Sequence, residues 1–296
     1  PGLTIDALAP DWTTPLLRRM SEISEVIATP FVHGPLQLMA RWRIAREIAK
    51  RNYDQAIVLP NSFKAALIPF FADIKLRVGY IGESRYGLLN IVHKLDKKKY
   101  PLMAERYALL AEPPGAEVRR PLLKTPLKVD HSNLALAKSR LGLRTDQPVV
   151  ALCPGAEFGP AKRWPVPHFA ELAKDLVTRG FSVWIFGSHK EKPLGDAIAQ
   201  LAGDGIENLS GKTELGEAID LLSVAKYVVS NDSGLMHVAA ALGKPVIALY
   251  GSSSPDHTPP LSDIARLVQV DHLACRPCFQ RECPLGHFKC MNDLSP

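Results

Sequence analysis

Residues 227–250 restrict this chain to one kind of architecture. Tyr227-Val-Val-Ser230 is a short apolar run of the type that forms a fully buried strand, and Val246-Ile-Ala-Leu-Tyr250 is another. Between them lie a polar turn, Asn231-Asp-Ser-Gly-Leu-Met-His237, a small-residue helix pattern, Val238-Ala-Ala-Ala-Leu242, and a Gly243-Lys-Pro245 stop. Buried strands joined through a helix belong to a parallel sheet, because a parallel connection must cross the sheet's face. The polar chemistry of the unit then falls at the carboxyl end of its first strand. Asn231, Asp232 and Ser233 are helix N-capping types, and Gly234 permits close backbone approach. A helix start offers free N–H groups to an anion, so the turn predicts a site for something phosphorylated.

The same alternation runs along the whole chain. Leu3 to Leu8, Gln55 to Leu59, Leu76 to Tyr80, Val149 to Cys153 and Ser182 to Phe186 read as strands. Helix patterns cover Pro35 to Arg51, Phe63 to Phe71, Tyr100 to Ala111, Ser132 to Leu141, His168 to Arg179, Leu194 to Ala202 and Leu215 to Val224. Such alternation specifies an α/β fold with parallel sheets. Prolines crowd between Glu112 and Pro126 and mark a linker, placed at 121–130. Two Rossmann-like domains follow, 1–120 and 131–296. Ligands of such sheets bind beyond the strands' carboxyl ends.

With 46% hydrophobic and 22% charged residues, the chain has the composition of a globular protein. No 18-residue apolar stretch suits a transmembrane helix, and no signal peptide is visible. The chain opens on Pro1, almost inside a strand, and reads as lacking its native start. The net charge of +6 suits an anionic partner. Its basic residues are scattered except at Lys97–Lys99 and Arg119-Arg120, without the interleaved aromatics of a nucleic-acid surface, so no nucleic-acid partner is expected.

A second polar run, Cys153-Pro-Gly-Ala-Glu-Phe-Gly-Pro-Ala-Lys-Arg-Trp-Pro165, follows a strand and precedes a helix, and so shares the sheet edge of the first. It offers the cations Lys162 and Arg163; a lysine facing a helix-terminal anion cup can neutralise a phosphate in a transition state, although both could be plain surface charges. Gly187-Ser188 and Gly251-Ser-Ser-Ser-Pro255 end two further strands on that edge. Two motifs fail. Five residues separate Gly205 from Gly211-Lys-Thr213, where a P-loop needs four, and no Gly-x-Gly-x-x-Gly occurs. Asp-x-Asp is also absent. His237, one turn into its helix, reads as a diphosphate ligand or a core histidine, and Asp232 as a hydroxyl ligand or a cap. In the first domain, Leu59-Pro-Asn-Ser-Phe-Lys64 ends a strand and Arg85 lies in the next connection. Asn61, Ser62, Lys64 and Arg85 are therefore candidates for a second, anionic substrate, against an ordinary N-cap and a solvated lysine. Of five cysteines, Cys153 reads as packing; Cys275, Cys278, Cys283 and Cys290 crowd into 16 residues as Cys-x2-Cys-x4-Cys-x6-Cys. That spacing suits a structural zinc, with reduced thiols or disulfides as the alternatives.

These runs together resemble the ADP-heptose:lipopolysaccharide heptosyltransferases of glycosyltransferase family 9, their type II members most of all. The likeness rests on 59–64, 154–165, 230–241 and 248–255. It implies the GT-B architecture, with the nucleotide sugar held by the C-terminal domain and the acceptor mostly by the N-terminal one. It implies inverting transfer of heptose from ADP-heptose to heptosyl-Kdo2-lipid A, without a cofactor, at the cytoplasmic face of the inner membrane. Lys162 falls on the family's donor-phosphate lysine, and Asp232, Ser233, Gly234 and His237 on its donor-binding turn. Glu157 and Phe158 fall where type I relatives carry hydroxyl residues beside the donor; Ser188 joins this donor set. The sequence departs at His189, where those relatives carry a ribose-binding glutamate. It also shows neither the first strand and glycine-rich loop, which carry an aspartate assigned as general base, nor the family's last helix. A related enzyme with another acceptor and a non-catalytic nucleotide-sugar binder are the alternative readings.

Overall fold

The apolar runs at 149–153, 227–231 and 246–250 become strands covered on both faces. A computed structural model of the chain describes residues 2–31 and 34–296. They fall into two units, Pro30–Leu123 and a second built from the first 29 residues with Lys124–Pro296.

In Pro30–Leu123, β3 (Gln55–Val58), β4 (Leu76–Tyr80) and β5 (Ile91–His93) form a parallel sheet in that order, with Ile57 opposite Val78 and Val78 opposite Ile91. Val58, Ala66 and Leu89 pack in one cluster, and Val78, Tyr80 and Leu110 in another. Helices cover Leu38–Ala49, Phe63–Phe71 and Met103–Leu109.

The other unit contains a six-stranded sheet. Its strands are β6 (Val149–Cys153), β7 (Ser182–Ile185), β8 (Ile206–Asn208), β9 (Tyr227–Asn231), β10 (Val246–Tyr250) and β11 (Arg266–Gln269). They lie in the order β11-β10-β9-β6-β7-β8, and every neighbouring pair is parallel. Side chains alternate across a strand. Val149, Ala151 and Cys153 join Trp184, Met236 and Tyr250 in one buried layer. Val150 and Leu152 join Phe169, Ile185 and Met291 in the other. Two covered faces explain why β6 reads as an unbroken apolar run. Burial also raises the Cys153 thiol pKa, ahead of the nearby Glu191 charge, which agrees with a packing role.

Strand order places the site. The chain goes from β6 to β7 and β8 on one side, then crosses to β9, β10 and β11 on the other. The reversal falls between β6 and β9; in open sheets of this kind the loops after the two strands at such a point frame a ligand crevice beyond their carboxyl ends. Those loops are 154–165 and 231–237, the two runs singled out from the sequence.

Residues 1–29, grouped above with the N-terminal domain, cluster instead with this unit. They form the parallel pair β1 (Asp6–Pro10) and β2 (Glu25–Thr29), so the first strand starts later than expected. The physical reason is Arg19, whose Nη2 lies 2.5 Å from Asp220 Oδ2 and whose Nη1 lies 3.4 Å from Asp130. Asp220 is fully buried and also accepts from the Asp130 N–H and Asn133 Nδ2. A buried carboxylate needs such partners. No helix among the described residues is long and apolar enough to cross a membrane.

Candidate active site at the sheet switch point

Asn231, the last residue of β9, joins the two loops. It is fully buried; its Nδ2 donates to the Pro154 carbonyl at 2.7 Å, and its Oδ1 accepts the Trp164 N–H at 3.1 Å. One side chain therefore pins both ends of the 154–164 loop to the next strand. Within that loop the turn Pro160–Lys162 directs Lys162 across the crevice, where Nζ lies 2.6 Å from Asp232 Oδ2. Asp232 is only 6% exposed. The ring of Phe158 lies 5.0 Å from Lys162 Nζ, and the Arg281 guanidinium lies 5.6 Å from the same ring. Cation–π contact and ion pair together hold the ammonium at the crevice.

The capping expectation fails in a useful way. Asn231 and Asp232 are engaged as described, and Ser233, at the N-cap of the helix Gly234–Ala241, makes no side-chain cap bond. Its Oγ lies 3.2 Å from Ser230 Oγ instead. The first N–H groups of the helix thus lack a side-chain acceptor. A Cβ on Gly234 would meet nothing within 4 Å, so the approach to those amides is open. Partial positive charge at the helix start and the Lys162 ammonium face the same space. His237 lies one turn further on. Crowding by neighbouring protein lowers its pKa below 6.5; the Asp232 carboxylate opposes this and Lys162 reinforces it. Its edge is exposed, so a ligand can reach the neutral imidazole.

Other candidates lie further out. Ser188 is used in a capping box: its N–H and Oγ donate to Glu191 Oε2 at 2.7 and 2.9 Å. Glu191 was missed from the sequence, although Ser188-His-Lys-Glu191 has the capping-box spacing. Its carboxylate lies over Gly155, where a Cβ would come within 1.9 Å of Glu191 Oε1. The group therefore sits at the carboxyl edge between β6 and β7, two residues beyond His189. Glu157 is exposed and lies 3.7 Å from Lys190, itself exposed. Arg163 donates to the Ala156 carbonyl at 3.3 Å.

In the unit Pro30–Leu123, Arg85 is 2% exposed and donates to the backbone carbonyls of Pro60, Tyr80 and Gly82, and to Asn61 Oδ1. Burial lowers its pKa, with Glu83 opposing. The guanidinium shapes the loops rather than projecting from them. Asn61 is exposed at the end of β3. Lys64 Nζ donates to the Gly34 carbonyl at 2.8 Å. Ser62 takes the N-cap position without a cap bond; the Phe63 N–H goes to Glu83 Oε2 at 2.9 Å.

The four clustered cysteines are free thiols and line one small cavity with Ala161, Ser252 and His287. Among the described residues, no three His, Cys, Asp or Glu side chains are gathered closely enough to hold a metal ion as they stand.

Known proteins match most of the chain. The model of glycosyltransferase family 9 (heptosyltransferase) matches residues 41–289. Lipopolysaccharide heptosyltransferase 2 of Salmonella typhimurium is 48% identical over 279 residues, 91% of this chain and 80% of that protein. The structure of Escherichia coli ADP-heptose lps heptosyltransferase II superposes with a TM-score of 0.85 at 44% identity, over 92% of this chain and 83% of that one. A family 9 glycosyl transferase from Veillonella parvula, at 20% identity and a TM-score of 0.84, shares the fold over 99% of this chain and 85% of its own. With a parallel α/β fold of the GT-B type and a cation-lined helix start at the switch point of its larger sheet, the chain belongs to glycosyltransferase family 9, the heptosyltransferases.

Proposed function

We propose that this enzyme moves L-glycero-D-manno-heptose from ADP-heptose to the first heptose of the lipopolysaccharide inner core, with inversion at the anomeric carbon. The observation that carries the reading is the pairing of Lys162 with the uncapped helix start at Gly234. Identity of 48% to a protein named lipopolysaccharide heptosyltransferase 2 supports the choice of sugar and acceptor.

The chemistry is a single displacement. The acceptor hydroxyl attacks the anomeric carbon from the face opposite the diphosphate, and its proton passes to a general base. As the new C–O bond forms, the bond to the diphosphate breaks and its electron pair leaves with ADP. Charge grows on the leaving group, where Lys162, the amides following Ser233 and His237 stabilise it. Asp232 holds Lys162 in place before the donor arrives, and Phe158 flanks it. Glu191 is placed for a ribose hydroxyl. Asn61, Ser62 and Lys64 meet the anionic acceptor, on loops shaped by Arg85. The acceptor's lipid places the reaction at the cytoplasmic face of the inner membrane. Direct displacement requires no cofactor. Incubating the enzyme with ADP-heptose and heptosyl-Kdo2-lipid A should release ADP and add one heptose mass to the lipid. Transfer to Kdo2-lipid A instead would reassign the acceptor, and ADP binding without release would leave only a binder.

His237 predicts a pH dependence. Its free-state pKa is lowered below 6.5, and a diphosphate beside it favours the imidazolium, so the bound-state pKa is higher. Binding then takes up a proton. ADP affinity should rise as pH falls through the bound-state value and level off below the free-state value. Each unit of difference contributes about tenfold. Calorimetry in buffers of different ionisation heat measures the proton uptake, and His237→Gln should remove the part that exceeds the ionisation of ADP itself. An identical profile in the variant would exclude His237 from the diphosphate.

A further inference from the structure

We propose that Cys275, Cys278, Cys283 and Cys290 together bind one zinc ion, and that this knot braces the loop carrying Lys162. The four thiols come from separate positions along a 16-residue segment yet line a single cavity of about 20 Å³. That volume is close to what one small ion or water occupies. Apolar packing does not account for the lining. Ser252 is fully buried there with no hydrogen-bond partner for its Oγ, and Arg276 is part of the same wall, its guanidinium bonded to the Gly251, Val270 and Ser253 carbonyls.

The local backbone has the form of a metal knuckle. Cys283-Pro-Leu-Gly286 closes on itself through the Gly286 N–H to the Cys283 carbonyl at 3.0 Å, with Gly286 at φ +68°. The Phe288 N–H then donates to Cys283 Sγ at 3.4 Å. Peptide N–H groups aimed at a ligating atom are the usual outer support of a metal site. His287 is less suited, since its Nδ1 already accepts the Lys289 N–H at 3.0 Å. The donor set is therefore four sulfurs, which favours tetrahedral zinc. The thiols do not meet at one point as they stand; the proposed site requires them to turn towards one centre within the shared cavity, at zinc–sulfur distances of about 2.3 Å. Each thiol gives its proton to solvent on binding, and Arg276 offsets part of the resulting negative charge.

The knot has a mechanical consequence, which rests on the proposed role of Lys162. The Arg281 carbonyl accepts the Ala161 N–H at 3.0 Å, and a Cβ on Gly159 would lie 2.4 Å from that carbonyl. The Phe279 N–H donates to the Ser252 carbonyl at 2.8 Å, and Arg276 Nε to the Gly251 carbonyl at 2.7 Å. The segment between the first and third cysteines thus backs both the 159–163 loop and the loop after β10. Fixing its ends fixes the backbone from which Lys162 projects.

Elemental analysis of protein purified without chelator should give about one zinc per chain, released by an organic mercurial. Cobalt(II) exchanged for zinc should show sulfur-to-metal charge-transfer bands. Cys278→Ser and Cys283→Ser should each lower zinc far below one per chain, whereas Cys153→Ser should keep it. Both knuckle variants should also lose roughly tenfold in ADP affinity through the displaced loop. Four titratable thiols with no zinc taken up on addition, or a disulfide in protein handled without oxygen, would overturn the site. Stoichiometric zinc with ADP affinity unchanged in the variants would overturn the brace. Zinc and ADP bound normally, with no heptose transferred, would instead sink the functional reading and leave the metal site standing.

Discussion

Replacing Lys162 by methionine should lower kcat by roughly two to three orders of magnitude, the range seen when a single group that stabilises a developing anion is removed. Methionine keeps most of the apolar stem beside Phe158 and deletes only the charge. The loss should appear mainly in kcat, because the charge on the diphosphate is greatest as the glycosidic bond breaks. The folded state also changes, since the Asp232 carboxylate, 2.6 Å from Nζ and 6% exposed, loses its partner. Breaking a buried pair on one side costs about 3–5 kcal/mol. The double variant Lys162→Met with Asp232→Asn removes that unpaired charge. It should regain much of the stability in a denaturant titration and none of the turnover. Recovery of turnover in the double variant would show that Lys162 acts on the protein and not on the leaving group.

Asn231→Leu has the second largest expected effect. The change leaves the Pro154 carbonyl and the Trp164 N–H, both buried partners of Asn231, without a bond. Each unsatisfied group costs about 1–3 kcal/mol. Asn231 touches no reacting atom in the proposed mechanism and acts by positioning the loop that bears Lys162. A misplacement of about 1 Å can cost on the order of 10²-fold, and kcat should fall by that much at temperatures where circular dichroism shows the variant folded. Asn231→Asp tests the geometry further, because a carboxylate can accept from Trp164 N–H but cannot donate to Pro154. It should resemble Asn231→Leu in kcat. Wild-type kcat in a folded variant would reduce Asn231 to a packing residue.

The sequence displays the large sheet clearly because burial on two faces forces long apolar runs, and the two site loops stand out as polar interruptions of them. It hides whatever depends on distant partners. Asn231 looks like a helix cap, since nothing local reveals that its partners lie 77 and 67 positions away. Arg85 looks like a substrate cation because arginines are usually exposed, yet it is folded inward onto three carbonyls. Glu191 is masked by an ordinary capping pattern. The strands β2, β5, β8 and β11 escape notice because they are short or incompletely buried, so their alternation is weak. Residues 1–29 cluster with a unit distant along the chain, through contacts no local pattern announces; the Arg19–Asp220 pair spans 201 positions.

A helix that starts without a capping side chain forgoes about 1 kcal/mol that such a cap supplies. In the helix Gly234–Ala241 the residues suited to that task are diverted to the neighbouring loop and its lysine. Phosphate oxygens of the donor would occupy the acceptor positions that Ser233 leaves unfilled. The nucleotide then counts among the parts that hold the larger unit together. On the proposed function, the heat tolerance of the enzyme should rise with the amount of donor or ADP that surrounds it, so a cell depleted of nucleotide sugar would carry a less durable form of the same protein.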